Sequence, residues 1–346
     1  MWQVIGHERI VQALARSLRE GHMAHAYLFV GPEHVGKMTL AVNLAQALNC
    51  GAQEKAPCGE CSVCRRIASG KHPDVMVIRL SGPVDGDSPA GAKMIGVDQI
   101  REMERIIGFK AYEGPYRVVI IEGADRMSEG AANSLLKTLE EPPPDTVLIL
   151  LAVDESALLS TITSRCRKFE LRTLPPPEIE RALIERYGAP PERARLLSHL
   201  CRGCIGWAIE AVRDETVLEE YGTRIEDLLS ASGSDLTRRF KLAAALAERF
   251  GRDRETVRRQ LDLWLDWWRD VMLMKGGCPE SIANIDREET LRRYAGCLSF
   301  AEIGAAIKSI QAALRELEGN ANPRLALDVL MLALPSIPDE SEKIHA

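Results

Sequence analysis

The sequence predicts a parallel α/β sheet covered by helices over its first 172 or so residues, followed by an all-helical remainder. Three observations carry this prediction. Short apolar, β-branched runs alternate with helical spacings as far as Leu171, the pattern of strands joined by crossover helices. A glycine-bearing loop, Gly31–Lys37, separates one such run from an apolar helical stretch, which is the strand–loop–helix order of a phosphate-binding unit. After Pro175-Pro176-Pro177 the β-branched runs cease, and the spacing stays helical to about Leu334.

Taken in order, Arg9–Glu20 is a helix by its apolar spacing, and Tyr27–Val30 is an uninterrupted apolar strand. Thr39–Leu48 is the helix after the glycine loop. Asp74–Ile78 and Arg117–Ile121 are strands with the helix Val97–Ile107 between them. Then come the helix Glu129–Glu140, the strand Val147–Ala152, a helix over Ser156–Ile162 and the strand Arg167–Leu171. Ser81–Gly91, rich in Gly, Pro and Asp, is expected to be a loop. Beyond the prolines, helices are expected over Pro177–Tyr187, Glu192–Leu200, Ile205–Asp214 and Val217–Leu229, making a small bundle. Ala231–Asp235 is expected to be a linker into a second helical block from Leu236 to about Leu334, and the polar tail Pro335–Ala346 to fray. The expected domains are residues 1–172, 173–230 and 231–340, with 341–346 as tail.

An apolar fraction of 46% with 27% charged residues is that of an ordinary globular protein, and 346 residues suffice for two or three cores. The net charge of −6 argues against a chain that coats nucleic acid by itself, since phosphate binding needs a concentrated basic surface. No window approaches the roughly 18 apolar residues of a membrane span, and Met1-Trp2-Gln3-Val4 has no basic-then-apolar signal pattern. A cytoplasmic location is therefore expected. No acid constellation suited to two-metal phosphoryl transfer is visible, so no polymerase or nuclease site is expected in this chain.

In Gly31-Pro32-Glu33-His34-Val35-Gly36-Lys37, the glycines let backbone N–H groups face a polyphosphate, the following helix N-terminus adds positive potential, and Lys37 neutralises the outer phosphates. The next residue should carry a hydroxyl for Mg²⁺. Here it is Met38, whose thioether is a poor ligand for a hard cation. Thr39 lies roughly 100° further around the helix and is no equivalent substitute. The strand Val118–Ile121 ends at Glu122-Gly123-Ala124-Asp125, so Glu122 can take the metal-side position, whereas Gly123 stands where a water-activating acid is needed. Gly31, Gly36, Lys37, Met38, Thr39 and Glu122 thus form a degenerate nucleotide site, at which ATP or ADP is expected to bind weakly or not at all.

Nine cysteines are present, and Cys50, Cys58, Cys61 and Cys64 form C-x7-C-x2-C-x2-C directly after the phosphate-loop helix. Four thiolates at this spacing satisfy tetrahedral zinc with no position open for substrate, so structural Zn²⁺ is the expected ligand. An iron–sulfur cluster and unliganded core thiols are the alternatives. Cys166, Cys201, Cys204, Cys278 and Cys297 read as small apolar residues. Trp264, Trp267 and Trp268 punctuate Leu261–Lys275, where aromatics at such spacing are more often core than interface. In Ser164-Arg165-Cys166, an arginine is presented after a helix and before a strand. Its guanidinium fork can stabilise γ-phosphate charge on a neighbouring subunit.

The stretches Val4-Ile5-Gly6-His7, Ala24–Lys37, the cysteine cluster, Val97-Asp98-Gln99-Ile100-Arg101, Tyr116–Asp125, Asn133–Pro143 and Ser164-Arg165-Cys166 together resemble the clamp-loader branch of the AAA+ ATPases. The resemblance is specific over nearly the whole first domain and thin over the later helices. It implies an AAA+ core with a zinc knuckle, a small helical lid domain and an all-α collar domain that oligomerises a ring. The implied partners are gamma/tau motor subunits and a delta subunit in that ring, with the sliding clamp and primed DNA reached through the assembly. Motor subunits of this branch carry a complete phosphate loop, an Asp-Glu strand end and a lid arginine. Here stand Met38, Gly123 and, within Gly203-Cys204-Ile205-Gly206-Trp207-Ala208, a glycine. The resemblance therefore implies a stator that keeps Arg165 as an arginine finger acting in trans, any polymerase activity belonging to the assembly. Two other readings stay open: an active motor using Lys37, Thr39, Glu122 and Asp125 in a displaced arrangement, and a stand-alone zinc-containing nucleic-acid-binding protein.

Overall fold

A computed structural model describes residues 2–337 except 53–54, 81–93, 234 and 320. It divides into two compact units, one of Met1–Ala182 with Gly203–Trp207 and one of Leu183–Arg202 with Ala208–Ala346. The expected loop Ser81–Gly91 lies outside the described residues.

The first unit is built on β1 (Ala26–Val30), β2 (Val75–Ile78), β3 (Arg117–Glu122), β4 (Thr146–Ala152) and β5 (Arg167–Glu170), all parallel in the order β2-β3-β4-β1-β5. Every residue of β1 and β4 is buried, as a central strand covered on both faces requires. The two-residue period of the pleat sorts their side chains. Ala26, Leu28 and Val30 join Leu148, Leu150 and Ala152 in one core, beside α4 (Val97–Ile107) and α5 (Glu129–Glu140). Tyr27 and Phe29 join Val147, Ile149 and Leu151 in the other, beside α1 (Glu8–Arg19) and α2 (Lys37–Asn49). Each such side chain contributes roughly 1.5–3 kcal/mol by leaving water. Because all five strands run the same way, the loops after β1, β3 and β4 share one end of the sheet, the end at which α/β sheets carry ligands.

Local structure departs from expectation in two places here. The helix expected over Ser156–Ile162 is split into a 3₁₀ turn, Glu155–Ala157, and a short α6, Ser160–Thr163. Asp154 accepts hydrogen bonds from the Ser156 N–H and hydroxyl, so a side-chain turn outcompetes the helix at its start. Conversely, α3 (Ser62–Ala68) is a helix that periodicity did not announce; Cys61 caps it, its Sγ accepting the Cys64 N–H.

The second unit contains α8 (Pro191–Leu200), α10 (Thr216–Gly233), α11 (Leu236–Arg252), α12 (Arg254–Lys275), α13 (Glu288–Cys297), α14 (Phe300–Glu318) and α15 (Pro323–Ala333). The division falls within α7 (Pro176–Tyr187), after Ala182, and within α9 (Ile205–Arg213), after Trp207. Trp264, Trp267 and Trp268 of α12 are fully buried at the centre of the second core. The linker expected at Ala231–Asp235 is mostly absent, since α10 runs on to Gly233 with Ala231 and Ser232 buried; tertiary burial overrides the weak helix preference of small residues. Nor does the tail fray at once, for Ile337 is buried and donates its N–H to the Ser232 carbonyl at 2.9 Å. Residues 338–346 lie outside the described part. Among the described residues no single helix is long and apolar enough to cross a membrane.

One cation holds this end together. Arg239 is buried, and burial lowers its pKa. Its guanidinium donates to the carbonyls of Leu334 at 2.7 Å and Met331 at 3.0 Å and to Ser336 Oγ at 2.8 Å, closing the C-terminus of α15. Arg239→Met would leave those acceptors buried without donors, a loss of about 3 kcal/mol. A melting temperature lowered by roughly 10 °C is expected, measured by calorimetry; an unchanged melting point would show the carbonyls to be satisfied otherwise.

Candidate nucleotide site, metal centre and arginine

The phosphate loop leaves β1 through Gly31, whose φ is +154° and where a Cβ would come within 2.3 Å of the Leu171 carbonyl oxygen, so only glycine fits. It enters α2 at Gly36, with φ +112°. Lys37 folds back over the loop, its Nζ donating to the carbonyls of Gly31 at 2.5 Å and Pro32 at 2.7 Å. Burial lowers its pKa, opposed by the charges of Glu33, Asp125, Cys204 and Glu122. Met38 packs against the α1/α2 core, and Thr39 is exposed.

At the end of β3, the Glu122 carboxylate accepts from Arg79 Nε at 2.8 Å, an ion pair in which each side chain is about half exposed. A guanidinium thus lies on the acid expected on the metal side. Gly123 follows with φ +76° and no side chain. Asp125 Oδ2 accepts the Val153 N–H at 3.0 Å, which ties that carboxylate to the chain after β4. The start of α9 meets the loop itself: the Gly206 N–H donates to the His34 carbonyl at 2.7 Å, and a Cβ on Gly206 would lie 2.7 Å from that same oxygen. No side chain, arginine included, fits there in this arrangement.

The metal-ligand geometry forms between α2 and α3. The sulfurs of Cys50, Cys58, Cys61 and Cys64 all lie within 4.8 Å of one another, and Cys58 and Cys64 are 3.9 Å apart. Sulfurs at 2.3 Å from a tetrahedral zinc are ~3.8 Å apart, so the quartet fits that ion. The N–H groups of Cys61 and Glu60, with the Cys50 side chain, draw the Cys58 thiol down to about 6. Burial pushes Cys64 up to about 12. Zn²⁺ held by these four would act structurally, since four sulfurs fill its coordination.

Arg165 stands apart from the phosphate loop. It follows α6 and precedes β5, whose Arg167 is level with Tyr27 of β1. Gly31 follows the C-terminal end of β1, whereas Arg165 lies in the turn that precedes the N-terminal end of β5. The two occupy opposite ends of the sheet. The guanidinium donates from Nη1 to the Thr161 carbonyl at 2.9 Å, and its Nη2 forms an ion pair with Glu140 Oε1 at an N···O distance of 2.9 Å.

A family model described as DNA polymerase III, delta subunit, matches residues 6–175. The delta-prime subunit of DNA polymerase III from Bacillus subtilis is 29% identical over 326 residues, spanning 94% of this chain and 95% of that one. The chain thus resembles delta-prime subunits of DNA polymerase III along nearly its whole length. The delta-prime subunit of Pseudomonas aeruginosa is 44% identical over 144 residues, 41% of this chain and 42% of that one. The DNA polymerase III tau subunit of B. subtilis is also similar, 37% identical over 172 residues, 49% of this chain and 29% of that one.

Within this delta-prime-like chain, the phosphate loop, cysteine quartet, Glu122 and Arg165 all fall inside the matched span. Gly31, Gly36 and Lys37 meet Glu122 at one sheet end, while Arg165 is kept from them. Sequence reasoning missed Arg79 on Glu122, Glu140 on Arg165 and the Gly206–His34 contact. Arg79 was findable only as a charge at the end of a strand next to β3, a neighbour relation that needs the sheet order. No local signal marks the other two.

Proposed function

We propose that this chain is a stator of a clamp loader in the cytoplasm. In that reading it sits in a hetero-oligomeric ring with gamma/tau motor subunits and a delta subunit. It supplies Arg165 in trans to a neighbour's ATP while the ring opens a sliding clamp and loads it on primed DNA. The observation that carries the reading is the separation of Arg165 from its own phosphate loop: a guanidinium at the far end of the sheet can reach only another subunit's phosphate. The loop side supports it from the other direction. Hydrolysis would need a metal hydroxyl ligand, a free acid and a base, whereas Met38 offers only a thioether packed against the core, Glu122 is paired with Arg79 and Gly123 has no side chain. Residues 1–172 then act as the AAA+ core, 173–230 as the lid and 231–340 as the collar. For a collar interface, the exposed Leu325, Val329 and Leu332 of α15 form an apolar stripe at i, i+4 and i+7, and the buried tryptophans belong to the core.

The competing motor reading rests on the intact Gly31, Gly36 and Lys37 and on the similarity to tau. One measurement separates the two. The purified chain alone, with Mg²⁺ and primed DNA, is expected to hydrolyse ATP no faster than its Lys37→Ala variant. Turnover that vanishes in Lys37→Ala would replace the stator with a motor.

A further inference from the structure

We propose that Glu140 is a positioning residue for Arg165, an inference that rests on the trans reading above. Free arginine side chains lose on the order of 2 kcal/mol of rotamer entropy when fixed, so a finger already held in place meets a phosphate at lower cost. Two separate elements hold this one. Glu140, the last residue of α5, pairs ionically with Nη2 at 2.9 Å, and the Thr161 carbonyl of α6 accepts a hydrogen bond from Nη1 at 2.9 Å. The hydrogen bond fixes one terminal nitrogen, and the ion pair draws the other toward the end of α5. Nε donates to no protein acceptor among the described residues. Both anchors are rigid because they are rooted in the same core: Leu139, next to Glu140, and Ile162, next to Thr161, are buried together there. The pair itself does little for folding. Its side chains are 36% and 53% exposed, and ion pairs so exposed add at most ~1 kcal/mol. Its geometry is therefore better explained by where it aims Arg165 than by stability.

The test compares reconstituted rings carrying wild-type chain, Glu140→Ala, Glu140→Asp, Arg165→Ala and the Glu140→Ala/Arg165→Ala double variant, with ATP turnover driven by clamp and primed DNA. Glu140→Ala is expected to lower kcat about threefold at the dependent site with KM for ATP unchanged. Glu140→Asp should restore part of the loss, and the melting temperature should stay that of the wild type. In the Arg165→Ala background the Glu140 change should do nothing further, which a merely structural role would not produce. Undiminished or raised turnover in Glu140→Ala, alongside a clear loss in Arg165→Ala, overturns the positioning role. No loss in Arg165→Ala overturns the trans reading and this inference with it.

Discussion

Arg165→Ala in the reconstituted ring is expected to lower turnover at the adjoining ATP site by about 10³-fold, the lower end of what a trans arginine supplies to phosphoryl transfer. The transferring γ-phosphoryl group carries its charge over three oxygens, and a planar fork of N–H donors matches them as a lysine does not. Arg165→Lys should therefore recover only a small part of the loss. Ring assembly should survive, because the contacts of Arg165 within the chain are exposed and worth little. Total ring hydrolysis falls by that one site's share, so single-site measurement with the other sites blocked is the decisive form. Full turnover in Arg165→Ala would remove the stator's catalytic contribution.

The second large effect concerns the cysteine quartet. Purified chain is expected to contain one zinc per molecule, and Cys61→Ser to lower both zinc content and the melting point of the first unit, by roughly 10 °C for a loss of about 3 kcal/mol. Such an ion would join the end of α2 to the start of α3, where Gln46 Nε2 donates to the Cys64 carbonyl at 2.8 Å. Without it, four sulfurs that converge within 4.8 Å have no common partner, and burial leaves Cys64 protonated. The effect is partial because both sheet cores persist. Elemental analysis beside calorimetry checks it. Iron with visible absorption would favour the cluster alternative, and a metal-free chain with an unchanged melting point would refute a structural ion.

Much of the first unit was legible in the sequence. Its five strands stand within a residue of where their runs predict them, and for β1, β3 and β4 the reason is that a strand buried on both faces is a continuous apolar run that needs no partner to be recognised. The loop lysine and the cysteine spacing were equally readable, since each is a pattern within one short segment. Legibility failed where a local choice was settled elsewhere. Ala231 and Ser232 are small and linker-like, yet helical, because the second core buries them. The Ser156–Ile162 pattern broke where Asp154 captured the Ser156 N–H and hydroxyl.

The sequence by itself determined which residues could carry chemistry and that the phosphate loop lacked its metal hydroxyl, because residue type and backbone period act over a few positions. Only the tertiary structure decided that Arg79 occupies Glu122, that Gly206 abuts the loop and that Arg165 faces away from its own phosphate site in the grip of Glu140. Those meetings follow from strand order and register, which the burial of two whole sheet faces selects and no single segment encodes.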